Sequence, residues 1–195
     1  MNTRIRKIAV VFHLFSAFVV IGLLAPVVQA AEFVVTRTDD PAPDGCAPGD
    51  CSLREAVIAA NAAAGADTIT LPAGTFTLSI AGAAGVDDID PAISDLDIGW
   101  GGLTINGAGA ASTTIQAAAG LNHSVFDMPI DIFFAPSAVT MNNLTITGGN
   151  ASTLGGNNRG GAIDSGSRHV TLNLNGVVIF GNTSASGGAF SAMER

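Results

Sequence analysis

The chain has 195 residues and a formal net charge of −8, with eight Lys or Arg against sixteen Asp or Glu, two Cys, one Trp and no Tyr. Arg4, Arg6 and Lys7 take three of the basic residues, so everything after residue 30 holds five Arg, no Lys and the same sixteen acids, a net −11. So acidic a body repels phosphate backbones and anionic lipid, which excludes nucleic-acid binding and membrane-surface docking through basic patches.

Residues 1–30 have the layout of a secretory signal peptide: a basic start, an apolar run from Ile8 to Ala25, Pro26, and a small-residue cleavage site at Val28-Gln29-Ala30. An uncleaved membrane anchor is the competing reading. Cleavage leaves a chain beginning near Ala31, exported and without an integral membrane span. Its remaining 165 or so residues suffice for one domain with a continuous core, and their abundant Gly, Ala, Thr, Asn and Ser suit tightly stacked layers.

Residues 31–65 read as an N-terminal cap. A strand in "EFVVTR" leads to Cys46 and Cys51, then to a helix in "SLREAVIAANAAAG". Ser52 and Glu55 have capping-box spacing, Leu53, Ala56, Val57, Ala60 and Ala64 share one face, and Gly65 is the stop. Export takes Cys46 and Cys51 into an oxidising compartment, where a disulfide is expected; a metal pair would lack nearby third and fourth ligands, and two free thiols are the other alternative. So short a ring contributes only about 2 kcal/mol through loop entropy. Its expected use is to fix the Pro48-Gly49 turn and the angle at which the helix leaves the strand.

Residues 66–195 lack helical periodicity and carry short β-branched runs between Gly and Asn: "DTITL", "TFTLSI", "LTINGAG", "TTIQA", "AVTMNNLTITGGN", "VTLNLNGVVIFGN". Leu103–Gly109, Leu144–Asn150 and Val177–Thr183 align as strand-turn pieces, "GGAI" returns as "GGAF" after 27 residues, and "VT" at Val139 returns at Val170 after 31. Repeats of this kind predict an all-β fold, a parallel β-helix whose coils cover each other's apolar faces. With roughly 22 to 33 residues per coil, this segment makes about five turns. Asn106, Asn150 and Asn182 are expected to stack as an amide ladder at the turns, and the capping helix to cover the first coil's strand edge. A β-sandwich is the competing fold, although sandwiches do not repeat "GGAI/GGAF" with neighbouring strands in matched order.

"CSLREA", the Ala/Asn-rich helix and "GADTITLPAGTFTL" resemble the N-terminal region of exported bacterial proteins named for the CSLREA motif. "LTITGGNAS", "GGAI" and "GGAF" resemble repeats of polymorphic outer membrane proteins. The resemblance covers almost all of residues 32–190. It implies a right-handed parallel β-helix of the pectin-lyase-like class, exported to the bacterial surface or outer membrane and often part of a longer protein. It implies no activity, because that fold carries enzymes, adhesins and passive stalks alike.

Candidate chemistry centres on "DDIDPAISDLD", with Asp87, Asp88, Asp90, Asp95 and Asp97. The plain reading is a solvated acidic loop. Clustered oxygen ligands for Ca²⁺ are the alternative, and paired carboxylates for glycosidic-bond cleavage are a third. A lyase acting on an acidic polysaccharide needs cationic groups, yet only Arg37, Arg54, Arg159, Arg168 and Arg195 remain, two of them in the cap. Of the polygalacturonase-like pattern NTD, DD, GHG and RIK, only Asp87-Asp88 is met. His123 and His169 read as turn residues. Four sequons, at Asn122, Asn143, Asn150 and Asn182, fall at coil turns.

The chain's last stretch, "GGAFSAMER", carries no second cap, which predicts a truncated product or a module, with end-to-end self-association through the last coil. The expectation is an exported, non-catalytic surface, adhesive or scaffold element, with no catalytic residues, no resident cofactor and a glycan or cell-surface ligand as partner. A polysaccharide lyase or glycoside hydrolase and a calcium-dependent glycan-binding module are the alternatives.

Overall fold

The computed structural model describes residues 29–83, 89–99, 101–128, 137–154, 159–166, 170–185 and 188–192. The expected signal peptide up to residue 28, Asp87, Asp88, Arg168, His169 and Arg195 lie outside the described residues.

Strand β1 (Glu32–Val34) and helix α1 (Leu53–Ala62) precede the coils. The first coil is β2 (Asp67–Thr70), β3 (Gly74–Leu78) and β4 (Leu96–Asp97); the second is β5 (Leu103–Asn106), β6 (Thr113–Ala117) and β7 (Phe126–Met128). The third is β8 (Ser137–Asn142), β9 (Thr145–Thr147), β10 (Asn150–Ala151) and β11 (Ile163–Ser165). The fourth is β12 (Val170–Asn175), β13 (Val178–Phe180), β14 (Thr183–Ser184) and β15 (Phe190–Ala192). Every ladder between these strands is parallel, in sheets ordered β1-β2-β5-β8-β12, β3-β6-β9-β13, β4-β7-β11-β15 and β10-β14. This is a parallel β-solenoid.

The described residues form four coils rather than about five, because the coils are longer than expected: Asn106 and Asn142 are 36 residues apart on adjacent strands, Asn142 and Asn175 33 apart. Ile163 does sit opposite Phe190, the 27-residue step read from "GGAI" and "GGAF". The "VT" step of 31 residues is not a pairing, since Val139 lies opposite Leu172. Nor does the strand beginning at Leu103 share a sheet with the strand that follows Leu144, β9, which pairs with β6 and β13. Pairing follows position within the coil, and unequal loops shift that position relative to residue count.

Period-two alternation sends one apolar residue inward on each strand, and parallel register piles these into ladders. Ile69, Ile105 and Met141 form one, Phe76, Ile115 and Ile146 a second, and Leu96, Phe126 and Ile163 a third, all fully buried. Each such side chain contributes about 1.5–3 kcal/mol by leaving water. Glycine is required where coils approach closely: an added Cβ at Gly107, after β5, would run into the Asn143 carbonyl of the next coil.

Helix α1 packs against β1, β2 and β4 and so lies over the first coil. Leu53, Ala56, Val57 and Ala60 are buried beneath it, as the helical stripe predicts. Ala64 is not part of that face: the helix ends at Ala62, Ala63 is extended, and Ala64 is exposed. The chain must straighten there to bring Asp67 into β2, with Gly65 turning at φ +123°.

Candidate functional site

Three groups of polar side chains stand out, beginning with the cap. Cys46 and Cys51 are joined in a disulfide, around a Pro48-Gly49 turn closed by paired hydrogen bonds between Ala47 and Asp50 (3.1 and 3.0 Å). Next to it the Ser52 hydroxyl accepts from the Glu55 amide at 3.3 Å, and the Glu55 carboxylate accepts from the Ser52 amide at 2.7 Å. Glu55 also accepts from the Asp44 amide at 3.2 Å. Burial pushes the Glu55 carboxyl up, but the hydrogen bonds from Ser52 and Asp44 outweigh it and hold the group below the ordinary glutamate value.

Arg54, which sequence reasoning left without a partner, is fully buried and uses all five of its N–H groups. Nε and Nη2 donate to the two carboxylate oxygens of Asp40 at 2.8 and 3.0 Å. Nη1 donates to the carbonyls of Pro91 (2.8 Å) and Asp95 (3.2 Å), and Nη2 to that of Ser94 (2.9 Å). Asp40 in turn accepts from the amides of Ser79 and Ile80 at 2.7 and 3.1 Å. One guanidinium therefore ties the helix to the segment preceding it and to two stretches of the first coil. Asn61 adds a second tie, donating to the Asp97 carbonyl (2.8 Å) and accepting from Gly99 N–H (2.9 Å).

The second group is acidic. Of the described acids in the loop read as solvated, Asp90 is exposed and accepts from the Ala92 amide at 3.0 Å as a turn-forming residue. Asp95 and Asp97 are buried. Asp97 lies in register with Asp127 and Asp164 on the next two coils, a column of acids on strands spaced about 4.8 Å apart. They are only 2%, 3% and 4% exposed, and Arg159 pairs with Asp164 at 3.2 Å. His123, expected at an ordinary turn, is buried with Nδ1 3.9 Å from Asp95. The Ser94 hydroxyl donates to the same carboxylate at 3.1 Å. No residue spacing announces the Asp column or the His123–Asp95 approach; only the coil register brings these groups together.

A retaining glycosidase places its two carboxyl groups about 5–5.5 Å apart with a sugar between them. The acids of this column are almost wholly buried, out of reach of a sugar ring. Among the described residues no group of three or more His, Cys, Asp or Glu converges as a metal-ligand set. Asp90, Asp95 and Asp97, three of the five acids considered for calcium, do not form such a set.

The third group lies on the outer face of the sheet containing β2, β5, β8 and β12. Thr68, Thr104, Thr140 and Asn173 form one outward row, and Thr70, Asn106, Asn142 and Asn175 another. Asn142 donates its amide to Asn106 Oδ1 at 2.8 Å, and Asn175 to Asn142 Oδ1 at 2.9 Å. An amide ladder thus exists, but of the expected residues only Asn106 belongs to it. Asn150 pairs instead with Asn122 (3.3 Å) and accepts from the Thr183 hydroxyl (3.0 Å). Asn182 stitches a turn, accepting from the Gly149 amide (2.9 Å) and donating to the Ile146 carbonyl (3.1 Å). From β2 to β12 these rows are uncharged and rich in hydroxyl and amide groups, and on β1 the first row continues as Glu32, which accepts from the Thr70 hydroxyl at 3.2 Å.

The described arginines are committed elsewhere: Arg37 bridges Asp39 and Asp50 in the cap at 2.7 and 2.6 Å, Arg54 is buried, and Arg159 pairs with Asp164 of the acidic column. No protein-family model matches this chain, nor does any curated protein or solved structure match it with significance.

Proposed function

We propose that this chain is an exported bacterial β-solenoid of the CSLREA-motif type that serves at the cell surface as a non-catalytic adhesive or scaffold element, with a neutral glycan as its partner. The observation that carries this reading is the outward Thr and Asn array, in which Thr68, Thr104 and Thr140 run beside Asn106, Asn142 and Asn175. Side-chain hydrogen bonds between successive coils fix the amides in place before any ligand arrives, which lowers the ordering cost of binding. Regularly spaced donors and acceptors without charge suit an extended neutral polymer of hydroxyl groups. The burial of the Asp97, Asp127 and Asp164 column argues against a hydrolytic role for it.

The test is retention of the full exported chain on glycan arrays and whole cells, with turnover followed in parallel. The expected result is binding without new chain ends, lost in Thr104→Glu while the melting temperature stays within a few degrees. Cleavage of polygalacturonate or another glycan above a blank would overturn the reading. A calcium-induced melting shift abolished by Asp87→Asn with Asp88→Asn would replace it with the calcium-dependent module.

A further inference from the structure

Two peptide bonds of this chain join Asp to Pro, at Asp40–Pro41 and at Asp90–Pro91. An Asp–Pro bond is the peptide bond that acid breaks most readily. Proline makes it a tertiary amide, whose nitrogen departs easily once protonated, and the aspartate carboxyl can attack its own main-chain carbonyl carbon, an intramolecular reaction favoured by proximity. The fold treats the two bonds oppositely.

At Asp40 the carboxyl is clamped. Its two oxygens accept from Arg54 Nε and Nη2 (2.8 and 3.0 Å) and from the Ser79 and Ile80 amides (2.7 and 3.1 Å), and the side chain is only 2% exposed. Turning it onto its own carbonyl would break a buried ion pair from one side. Asp90 instead stands exposed in the loop between β3 and β4, where a turn arranges the reacting atoms. Its Oδ1 accepts from the Ala92 amide at 3.0 Å, closing a ring that contains the Asp90–Pro91 bond and so keeping the carboxyl beside it. Its main-chain carbonyl accepts from the Ile93 amide at 3.1 Å. That N–H polarises the carbon to be attacked and stabilises the oxyanion formed there.

We propose that Asp90–Pro91 is a built-in scission site at which mild acid divides the chain into two pieces that stay assembled. A carboxylate oxygen of Asp90 bonds to the main-chain carbonyl carbon of the same residue, the C–N bond to Pro91 breaks, and the departing nitrogen takes a proton from the acid. Water then opens the cyclic anhydride, leaving Asp90 with two carboxyl groups and Pro91 with a secondary amine. Nothing is oxidised or reduced, and water is the only co-reactant. The cut releases neither piece. Strands β2 and β3 upstream pair with β5 and β6 downstream, while Arg54 and Asn61 hold the carbonyls of Pro91, Ser94, Asp95 and Asp97. Among the described residues the charged groups bonded to this turn are Arg54, through the Pro91 carbonyl, and Asp40 behind it; the Asp95 carboxylate faces His123. None of this depends on whether the Thr and Asn flank binds a glycan.

The experiment holds the purified full chain at about pH 4, where an ordinary aspartate exists in both forms, and identifies fragments by mass spectrometry after denaturation. Circular dichroism confirms the fold during incubation. Cutting is expected at Asp90–Pro91 at least about tenfold faster than at Asp40–Pro41, a margin within what positioning supplies. In urea at the same pH the two bonds should be cut at similar rates, because clamp and turn are both gone. Asp90→Asn keeps an acceptor for the Ala92 amide but lacks the nucleophile, so its Asp40–Pro41 bond should be cut in urea while the bond before Pro91 survives. Size-exclusion before denaturation should show the nicked chain eluting with the intact one. Equal cutting of both bonds in the folded chain, an uncut Asp90–Pro91, cutting that persists in Asp90→Asn, or pieces that separate without denaturant would overturn the proposal.

Discussion

The first and fourth coils use the same ladder positions and treat them differently. At the first, Ile69 is buried with Phe33 of β1 opposite it, and Arg54 fastens α1 to the coil below through Asp40 and three carbonyls. At the fourth, Leu174 occupies the equivalent rung without cover. A repeat therefore does not carry its own burial; neighbours supply it, and whatever lies at each end decides how much the last rung contributes.

The sealed end is where a single substitution should do most damage. Arg54→Met keeps much of the side chain's bulk but leaves the Asp40 carboxylate buried beside three carbonyls that have lost their donor. Breaking a buried pair from one side costs about 3–5 kcal/mol, which for a domain of this size lowers the melting temperature by about 10 °C. A loss of only a degree or two, measured by calorimetry, would mean that the cap is held by its apolar stripe alone.

A matched pair of truncations on one ladder compares the two ends directly. Met141→Ala, in the wholly buried third rung, should cost about 2–5 kcal/mol. Leu174→Ala, on the partly open fourth, should cost about 1 kcal/mol, because much of the side chain is already in water. Equal losses in denaturant titrations would indicate that Leu174 is covered in solution.

How much of this could be read in advance differs by level. Alternating β-branched runs with Gly and Asn between them announce strands that must stack, and Ser52, Glu55 and the Ala stripe announce a capped helix, because each signal is local. The ladder Asn106–Asn142–Asn175 was not legible beyond its first member. Its spacing of 36 and then 33 residues depends on loop lengths, and "NG" or "GN" turns at Asn150 and Asn182 look equally suitable. Arg54 was hidden for a different reason: an Arg in the second position of a helix normally faces water, and its partners lie at residues 40, 91, 94 and 95. The buried Asp97, Asp127 and Asp164 column was missed because the acids were grouped by nearness in sequence, whereas the fold groups them by coil.

The smallest expected effect concerns how the sealed end responds to acid. Glu55 accepts from the Ser52 and Asp44 amides, and its carboxyl is held below the ordinary value in the folded chain. A group whose folded value is depressed stabilises the fold above its unfolded value and loses that contribution as pH falls through the folded one. Glu55→Gln retains a capping-box side chain but cannot titrate. The wild-type chain should therefore melt a few degrees above the variant near pH 7, with the gap closing as pH falls below the ordinary glutamate value of about 4.3 and through the lower value of the folded chain. Other carboxylates lower both curves together, so the difference between them isolates Glu55. A gap that persists unchanged at low pH would assign its role to shape rather than charge, and a gap confined to low pH would reverse the sign of the linkage.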